Sequence, residues 1–164
     1  MIRYARFASP LGPLIAIARD DAVSALHFTD GKYAPAVESG WREDPGHAPL
    51  RRLGLQLAEY FAGRRAAFDL PLAPQGTDFQ QRVWREIAKI PPGRTTTYAT
   101  IAERAGSPGS ARAAGAATGR NPLTIVVPCH RIVASSGALT GYAGGLDRKR
   151  QLLALEGAAG LHRT

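Results

Sequence analysis

The chain's 164 residues, 45% of them hydrophobic, suffice for one sizeable globular domain or two small ones and rule out a disordered chain. The net charge of +8 is lopsided: residues 1–76 hold 9 Lys/Arg against 8 Asp/Glu and residues 77–164 hold 12 against 5, which fits a polyanion-binding module on a scaffold, or a solvated basic surface. No run approaches the ~18–20 consecutive apolar residues of a membrane span, and Pro10, Gly12 and Pro13 interrupt the opening stretch before a signal-peptide core can form, so a cytoplasmic protein is expected.

Short β-like runs at residues 2–7, 14–18 and 23–28 alternate with turn signals, Ser9 to Pro13 and Arg19-Asp20-Asp21, and predict an antiparallel meander. Residues 31–49 lack periodicity and read as loop. Leu50, Leu53, Leu57, Tyr60 and Phe61 recur at helical spacing, predicting a helix over 49–61 that Gly63 ends. Pro71, Pro74 and Gly76 mark a linker, which divides the chain into an N-terminal part, 1–76, and a C-terminal part, 77–164. There, Thr77 or Asp78 caps a helix with Phe79, Val83, Trp84, Ile87 and Ile90 on one face, stopped by Pro91-Pro92-Gly93. Thr97 caps a short helix over 98–105, and after the turn Gly106-Ser107-Pro108-Gly109, Ser110 caps another over 111–119.

Two short helices joined by a glycine-containing turn form a helix-turn-helix, whose second helix can lie in a DNA groove. That second helix carries mostly tiny side chains, among them Ala111, Ala113 and Gly115, with Arg112 its only long one. Such a helix either packs tightly against its neighbours or brings its backbone close to a ligand. An inserted arginine beside a small-residue surface suits minor-groove binding. The expected fold class is therefore α+β: a small antiparallel sheet with a helix, then a mostly helical part containing the helix-turn-helix.

Beyond this helix runs Arg120-Asn121-Pro122, then Val127-Pro128-Cys129-His130-Arg131-Ile132-Val133, with Gly141-Tyr142-Ala143-Gly144-Gly145 and Leu155-Glu156-Gly157 downstream. Cys129 is the only cysteine, which excludes an internal disulfide and a multi-cysteine zinc site. His27, His47, His130 and His162 lack metal-ligand spacing, so no metal is expected. Pro128-Cys129-His130-Arg131 and the flanking motifs, in this order over about half the chain, resemble the active-site signature of the O6-alkylguanine-DNA alkyltransferases, the methylated-DNA–protein-cysteine methyltransferases.

The resemblance implies repair of DNA by stoichiometric transfer of an alkyl group from O6-alkylguanine, and O4-alkylthymine, to Cys129. Attack on a saturated carbon needs a strong nucleophile, and a free thiol with pKa about 8.5 is only slightly ionised near neutrality, so a base is required. Adjacent side chains generally point apart, so contact between Cys129 and His130 does not follow from the sequence. By resemblance, His130 reaches Cys129 through a water and is held by Glu156, Tyr98 donates a hydrogen bond to guanine N3, and Asn121 ties the DNA-reading helix to the nucleophile loop. Arg112 corresponds to the finger that replaces a flipped-out base in the minor groove of double-stranded DNA, with Ala111, Ala113, Gly115, Thr95 and Arg120 along the same interface. Val127, Pro128, Tyr142, Ala143 and Gly144 would form the substrate pocket, where Ala143 stands for the serine and Thr124 for the proline of some relatives. The small residues there leave room for adducts larger than methyl. The N-terminal part would be a ribonuclease-H-like scaffold. A monomer is expected, with clustering on DNA conceivable, and no cofactor is implied because the nucleophile is itself the acceptor.

Two other readings remain at this point. A lesion-binding protein without chemistry would share the motifs but lack the cysteine. A cysteine hydrolase using Cys129, a histidine and Asn121 would leave the basic half and the Arg112 helix without a purpose.

Overall fold

In the computed structural model, which describes residues 1–157, three strands form the expected meander: β1 (Ile2–Phe7), β2 (Leu14–Arg19) and β3 (Ala22–Phe28). Residues 158–164, and His162 with them, lie outside the described residues. Strands β1, β2 and β3 pair antiparallel, and β4 (Arg42–Glu43) joins β1 in parallel, giving the order β3-β2-β1-β4. The run 31–49 thus contains a two-residue strand, too short to show any periodicity. Strand β2 is apolar without alternation because both its faces are covered. On one side Leu14, Ala16 and Ala18 join the main core with Leu50, Leu53 and Leu57 of α1 (Ala48–Phe61), and on the other Ile15 and Ile17 pack with Tyr4 and Trp41.

The exposed edge of β3 is closed by two segments from further along the chain. The Val23 N–H donates to the Pro71 carbonyl (2.9 Å) and the Ala73 N–H to the Val23 carbonyl (2.9 Å), so the stretch read as a linker lies along the sheet. Lower on the same strand, the Leu26 N–H donates to the Pro122 carbonyl (2.8 Å) and the Thr124 N–H to the Leu26 carbonyl (3.1 Å). An unpaired strand edge is a liability that these bonds remove. They also fasten the segment leading to Cys129 onto the N-terminal sheet.

The helices follow the expected order: α2 (Asp78–Ala88), α3 (Tyr98–Arg104) and α4 (Ala111–Gly119). Thr77 closes a capping box with Gln80, and the Thr97 hydroxyl accepts from the Thr100 N–H. Ser110 departs from expectation. It occupies the N-cap position of α4 with φ −101° and ψ 41°, outside the extended geometry of a capping side chain, and its hydroxyl makes no cap bond. Four further elements complete the fold of the described residues. Strand β5 (Thr96–Thr97) pairs in parallel with β6 (Ile132–Val133), a 3₁₀ turn spans Cys129–Arg131, and α5 (Leu146–Leu155) ends the described chain. The overall class is α+β, and no helix of the described residues is long and apolar enough to cross a membrane.

Candidate active site

Cys129 sits at the end of a loop built from two tight turns. The Val126 N–H donates to the Thr124 carbonyl (2.8 Å) around Ile125, whose φ of 72° is strained for a β-branched residue. The Cys129 N–H donates to the Val127 carbonyl (2.8 Å) around Pro128, whose φ of −81° and ψ of 65° are those of an inverse γ-turn. Such strain persists where the surroundings over-determine the chain. Here Asn121 supplies much of that constraint. Its side-chain oxygen accepts from the Leu123 N–H (2.9 Å), while Nδ2 donates to the Val127 carbonyl (2.8 Å), so one amide spans the loop from α4 to the residue two before Cys129.

Behind the loop, four donors converge on Glu156. Oε2 accepts from His130 Nε2 (2.7 Å), from the Tyr60 hydroxyl (2.6 Å) and from Arg131 Nη2 (2.8 Å), while Oε1 accepts from Arg131 Nε (2.8 Å). All are buried: the side chains of His130 and Glu156 are 0% and 3% exposed. Burial alone would raise the Glu156 carboxyl, but His130 and Arg131, then Tyr60, outweigh it and hold it down at about 2. Burial pushes His130 below its ordinary value even though Glu156 pulls the other way, so the ring is neutral at neutral pH. An ionised carboxylate can only accept, so the proton of the neutral ring is on Nε2, assigned here from the hydrogen-bond network. The lone pair is then on Nδ1, which is buried without a protein partner among the described residues. Burial raises the Cys129 thiol, opposed by the Asn121 amide and the Lys149 ammonium. A thiol that resists ionisation and, at the next residue, a neutral imidazole whose Nδ1 has no protein partner among the described residues are the groups an acid–base pair requires, although no direct hydrogen bond joins them.

Cys129 lines a pocket of about 270 Å³ whose walls come from both parts of the chain. The C-terminal part contributes Tyr98, Gly115, Asn121, Tyr142, Ala143 and Gly144, and the N-terminal part contributes Phe28, Lys32 and Tyr33. The Tyr98 hydroxyl donates to the Thr140 carbonyl (3.2 Å). The hydroxyls of Tyr142 and Thr124 are hydrogen-bonded to each other, so threonine here anchors the pocket tyrosine. Gly144 has no room for a side chain, since a Cβ would meet the Tyr142 ring at 2.8 Å. Lys149, fully buried on α5, donates to the carbonyls of Thr140 (2.6 Å) and Gly141 (3.1 Å), and desolvation lowers it to about 8.

The sequence-derived residues divide among three places. Cys129, Asn121, Tyr98, Tyr142, Ala143, Gly144 and Gly115 share the pocket, with His130 and Glu156 in the cluster behind. Val127 and Pro128 are buried in the loop and are not among the pocket's lining residues. Helix α4 buries Ala114, Ala117 and Thr118, and the Trp84 indole donates to the Ala117 carbonyl (2.8 Å), so part of its small-residue character serves packing. Arg112 and Ala113 are exposed, as is Thr95, while Ala111 is half-buried. Arg112 lies one turn before Gly115, on the same face of α4. The Arg120 guanidinium stacks 4.3 Å from the centre of the Tyr33 ring. Not foreseen from the sequence were Tyr60, Arg131, Lys149 and the N-terminal wall of the pocket. Of these, only Arg131 stood inside a recognised motif.

Known proteins resemble this chain along nearly its whole length. The family model described as "6-O-methylguanine DNA methyltransferase, DNA binding domain" matches residues 78–158, and "6-O-methylguanine DNA methyltransferase, ribonuclease-like domain" matches residues 2–74. The chain is 49% identical over 156 residues to a methylated-DNA–protein-cysteine methyltransferase of Mycolicibacterium paratuberculosis, covering 95% of this chain and 93% of that one. It is 44% identical to the protein of the same name from Methanosarcina acetivorans, covering 94% and 98%. A crystal structure of the Mycobacterium tuberculosis O6-methylguanine methyltransferase superposes with a TM-score of 0.87 at 45% identity, covering 96% and 94% of the two chains. A structure of the Mycobacterium tuberculosis protein in complex with DNA superposes equally well, at 44% identity over 95% and 93%. With both family models matched and such identity along nearly its whole length, the chain belongs to the 6-O-methylguanine DNA methyltransferase family.

Proposed function

We propose that this protein repairs alkylated DNA by moving the alkyl group from O6 of guanine, and from O4 of thymine, onto Sγ of Cys129. The observation that carries the reading is the buried thiol lining a base-sized pocket, backed by a neutral imidazole and an ionised carboxylate. His130 takes the thiol proton at Nδ1 through a water, and Glu156 stabilises the resulting charge. The Sγ–carbon bond forms as the O6–carbon bond breaks, and guanine leaves with the electron pair. Tyr98 donates a hydrogen bond to its N3, and the proton given up by the thiol is matched by the one guanine regains. A thioether has no ready hydrolysis route, so each molecule acts once and needs no cofactor. Intact mass after mixing with an O6-methylguanine oligonucleotide tests this: one added methyl located on Cys129 is expected, and an unmodified cysteine alongside repaired DNA would sink the reading.

In this reading residues 77–164 bind DNA and carry the chemistry, and residues 1–76 are the scaffold that also walls the pocket. The protein works in the cytoplasm as a monomer that can cluster along DNA. Helix α4 enters the minor groove, with Ala111, Ala113, Thr95 and Arg120 along the contact, and Arg112 fills the gap left by a flipped nucleotide. Arg112→Ala is expected to slow repair of duplex DNA by roughly ten- to a hundredfold, since unstacking costs a few kcal/mol that the arginine partly offsets. Reaction with free O6-benzylguanine base needs no flipping and should be unchanged. Equal losses on both substrates would instead place Arg112 in the fold or the chemistry.

The pocket's small residues also bear on adduct size. Ala143 and Gly144 leave its wall low, so prior incubation with free O6-benzylguanine should eliminate subsequent methyl transfer. A protein still fully active after such treatment would show that the pocket excludes the benzyl ring.

A further inference from the structure

The group that completes the Cys129–His130–Glu156 relay comes from the other part of the chain. Tyr60 lies on the last turn of α1, 96 positions from Glu156 in sequence, and its hydroxyl donates to the same Oε2 that accepts from His130. The tyrosine is 3% exposed, and its ring is wedged edge-on against Phe61 (5.2 Å between centres) and tilted against Phe68 (5.6 Å). A ring held in this way aims its hydroxyl with little freedom. A buried tyrosine hydroxyl needs a partner, and many backbone carbonyls would serve. This one instead adds a third donor to a carboxylate oxygen already shared by His130 and Arg131.

We propose that Tyr60 is a positioning residue for alkyl transfer, holding Oε2 of Glu156 on His130 and tempering its basicity, so that the N-terminal part directly serves the chemistry. Each donor draws charge from the oxygen it meets. With Tyr60 present, Oε2 stays an acceptor of the Nε2 proton and does not overstabilise the protonated ring. Without it, the carboxylate becomes more basic and favours the charged imidazole, which can no longer accept the thiol proton. The other charged or titratable groups around the pair are Arg131 from the 3₁₀ turn, Lys149 from α5, Cys129, and Tyr142 from the pocket. Arg64 and Arg65 line the cavity on the far side of Glu156. None of these changes when Tyr60 does.

The proposal rests on Cys129 being the alkyl acceptor, and the experiment separates the two ideas. The rate of benzyl transfer from free O6-benzylguanine is measured between pH 5 and 9 for the parent, for Tyr60→Phe, and for the protein with 3-fluorotyrosine at position 60. The end point of labelling counts active molecules, so the rate constant does not depend on any misfolded fraction. Tyr60→Phe keeps the ring and is expected to slow transfer at pH 7 about tenfold, the worth of one hydrogen bond to a charged group. The acid limb of its profile should move to higher pH. Fluorotyrosine keeps the hydroxyl as a stronger donor, so its acid limb should move to lower pH, and this variant decides the matter if Tyr60→Phe does not fold. Unshifted limbs in whichever variants fold, with or without a uniform loss of rate, would reduce Tyr60 to a packing residue and overturn the proposal. A parent protein that leaves Cys129 unmodified while it repairs an O6-methylguanine oligonucleotide would overturn the proposed function itself.

Discussion

Cys129→Ser is expected to abolish alkyl transfer completely while leaving affinity for DNA within about twofold of the parent. Serine is nearly isosteric, and the residue is 8% exposed, so little contact surface is altered. The loss is chemical. An alcohol is far harder to ionise than a thiol, and neither the Asn121 amide nor the Lys149 charge that eases formation of a thiolate can bridge that gap. The Asn121 amide bonds to the Val127 carbonyl and the Leu123 N–H involve backbone only, so the loop should keep its shape. The check is a methyl-transfer assay beside a binding titration on the same oligonucleotide. Residual transfer by the serine protein would move the nucleophile elsewhere, and a collapse of DNA binding would mean that the thiol organises the loop.

The second large effect belongs to Glu156→Gln, which should destabilise the fold and slow transfer together. Arg131 is 5% exposed and finds its charge partner in Glu156, with Nη1 donating to the Ile90 carbonyl (2.6 Å). An amide cancels the negative charge and presents an N–H₂ to a site where every neighbour is a donor, leaving a buried cation unpaired, at a cost of about 3–5 kcal/mol. The carboxyl is held from 4.5 down to about 2, so its contribution is fully present above its ordinary range and is lost as pH falls from there towards 2. The parent–variant gap in urea unfolding should therefore be about 3 kcal/mol at pH 7 and shrink below pH 5. Transfer should fall about a hundredfold or more, as for loss of an oriented general base. Equal stability of the two proteins at pH 7 would show that the Ile90 carbonyl alone satisfies Arg131.

Both effects concern residues visible in short motifs, while several structural neighbours were not. Asn121, Cys129, His130 and Glu156 sit in short motifs whose resemblance to the family implies their roles, and helices α1 to α4 announce themselves through spacing, caps and stops. Strands β4, β5 and β6 are two residues each, too short for any period to register. Helix α5 lies between the two downstream motifs, Gly141 to Gly145 and Leu155 to Gly157, in a stretch to which the sequence reading assigns no element. Ser110 shows the limit of a local rule: a residue suited to capping stands in the right place, and the backbone leading out of the turn orients it otherwise.

The sequence by itself therefore determined the class of fold, the order of helices α1 to α4 and the family, and it proposed Cys129 as the nucleophile. These rest on interactions within a few residues, where spacing is geometry. Only the tertiary structure decided that β3 pairs with the segment before Cys129, that Phe28, Lys32 and Tyr33 wall the pocket, and that Tyr60 and Arg131 share Glu156 with His130. Those contacts join residues tens of positions apart. Tyr60 occupies an apolar helical position indistinguishable from any other core residue until the packing of α1 turns its hydroxyl onto a buried carboxylate.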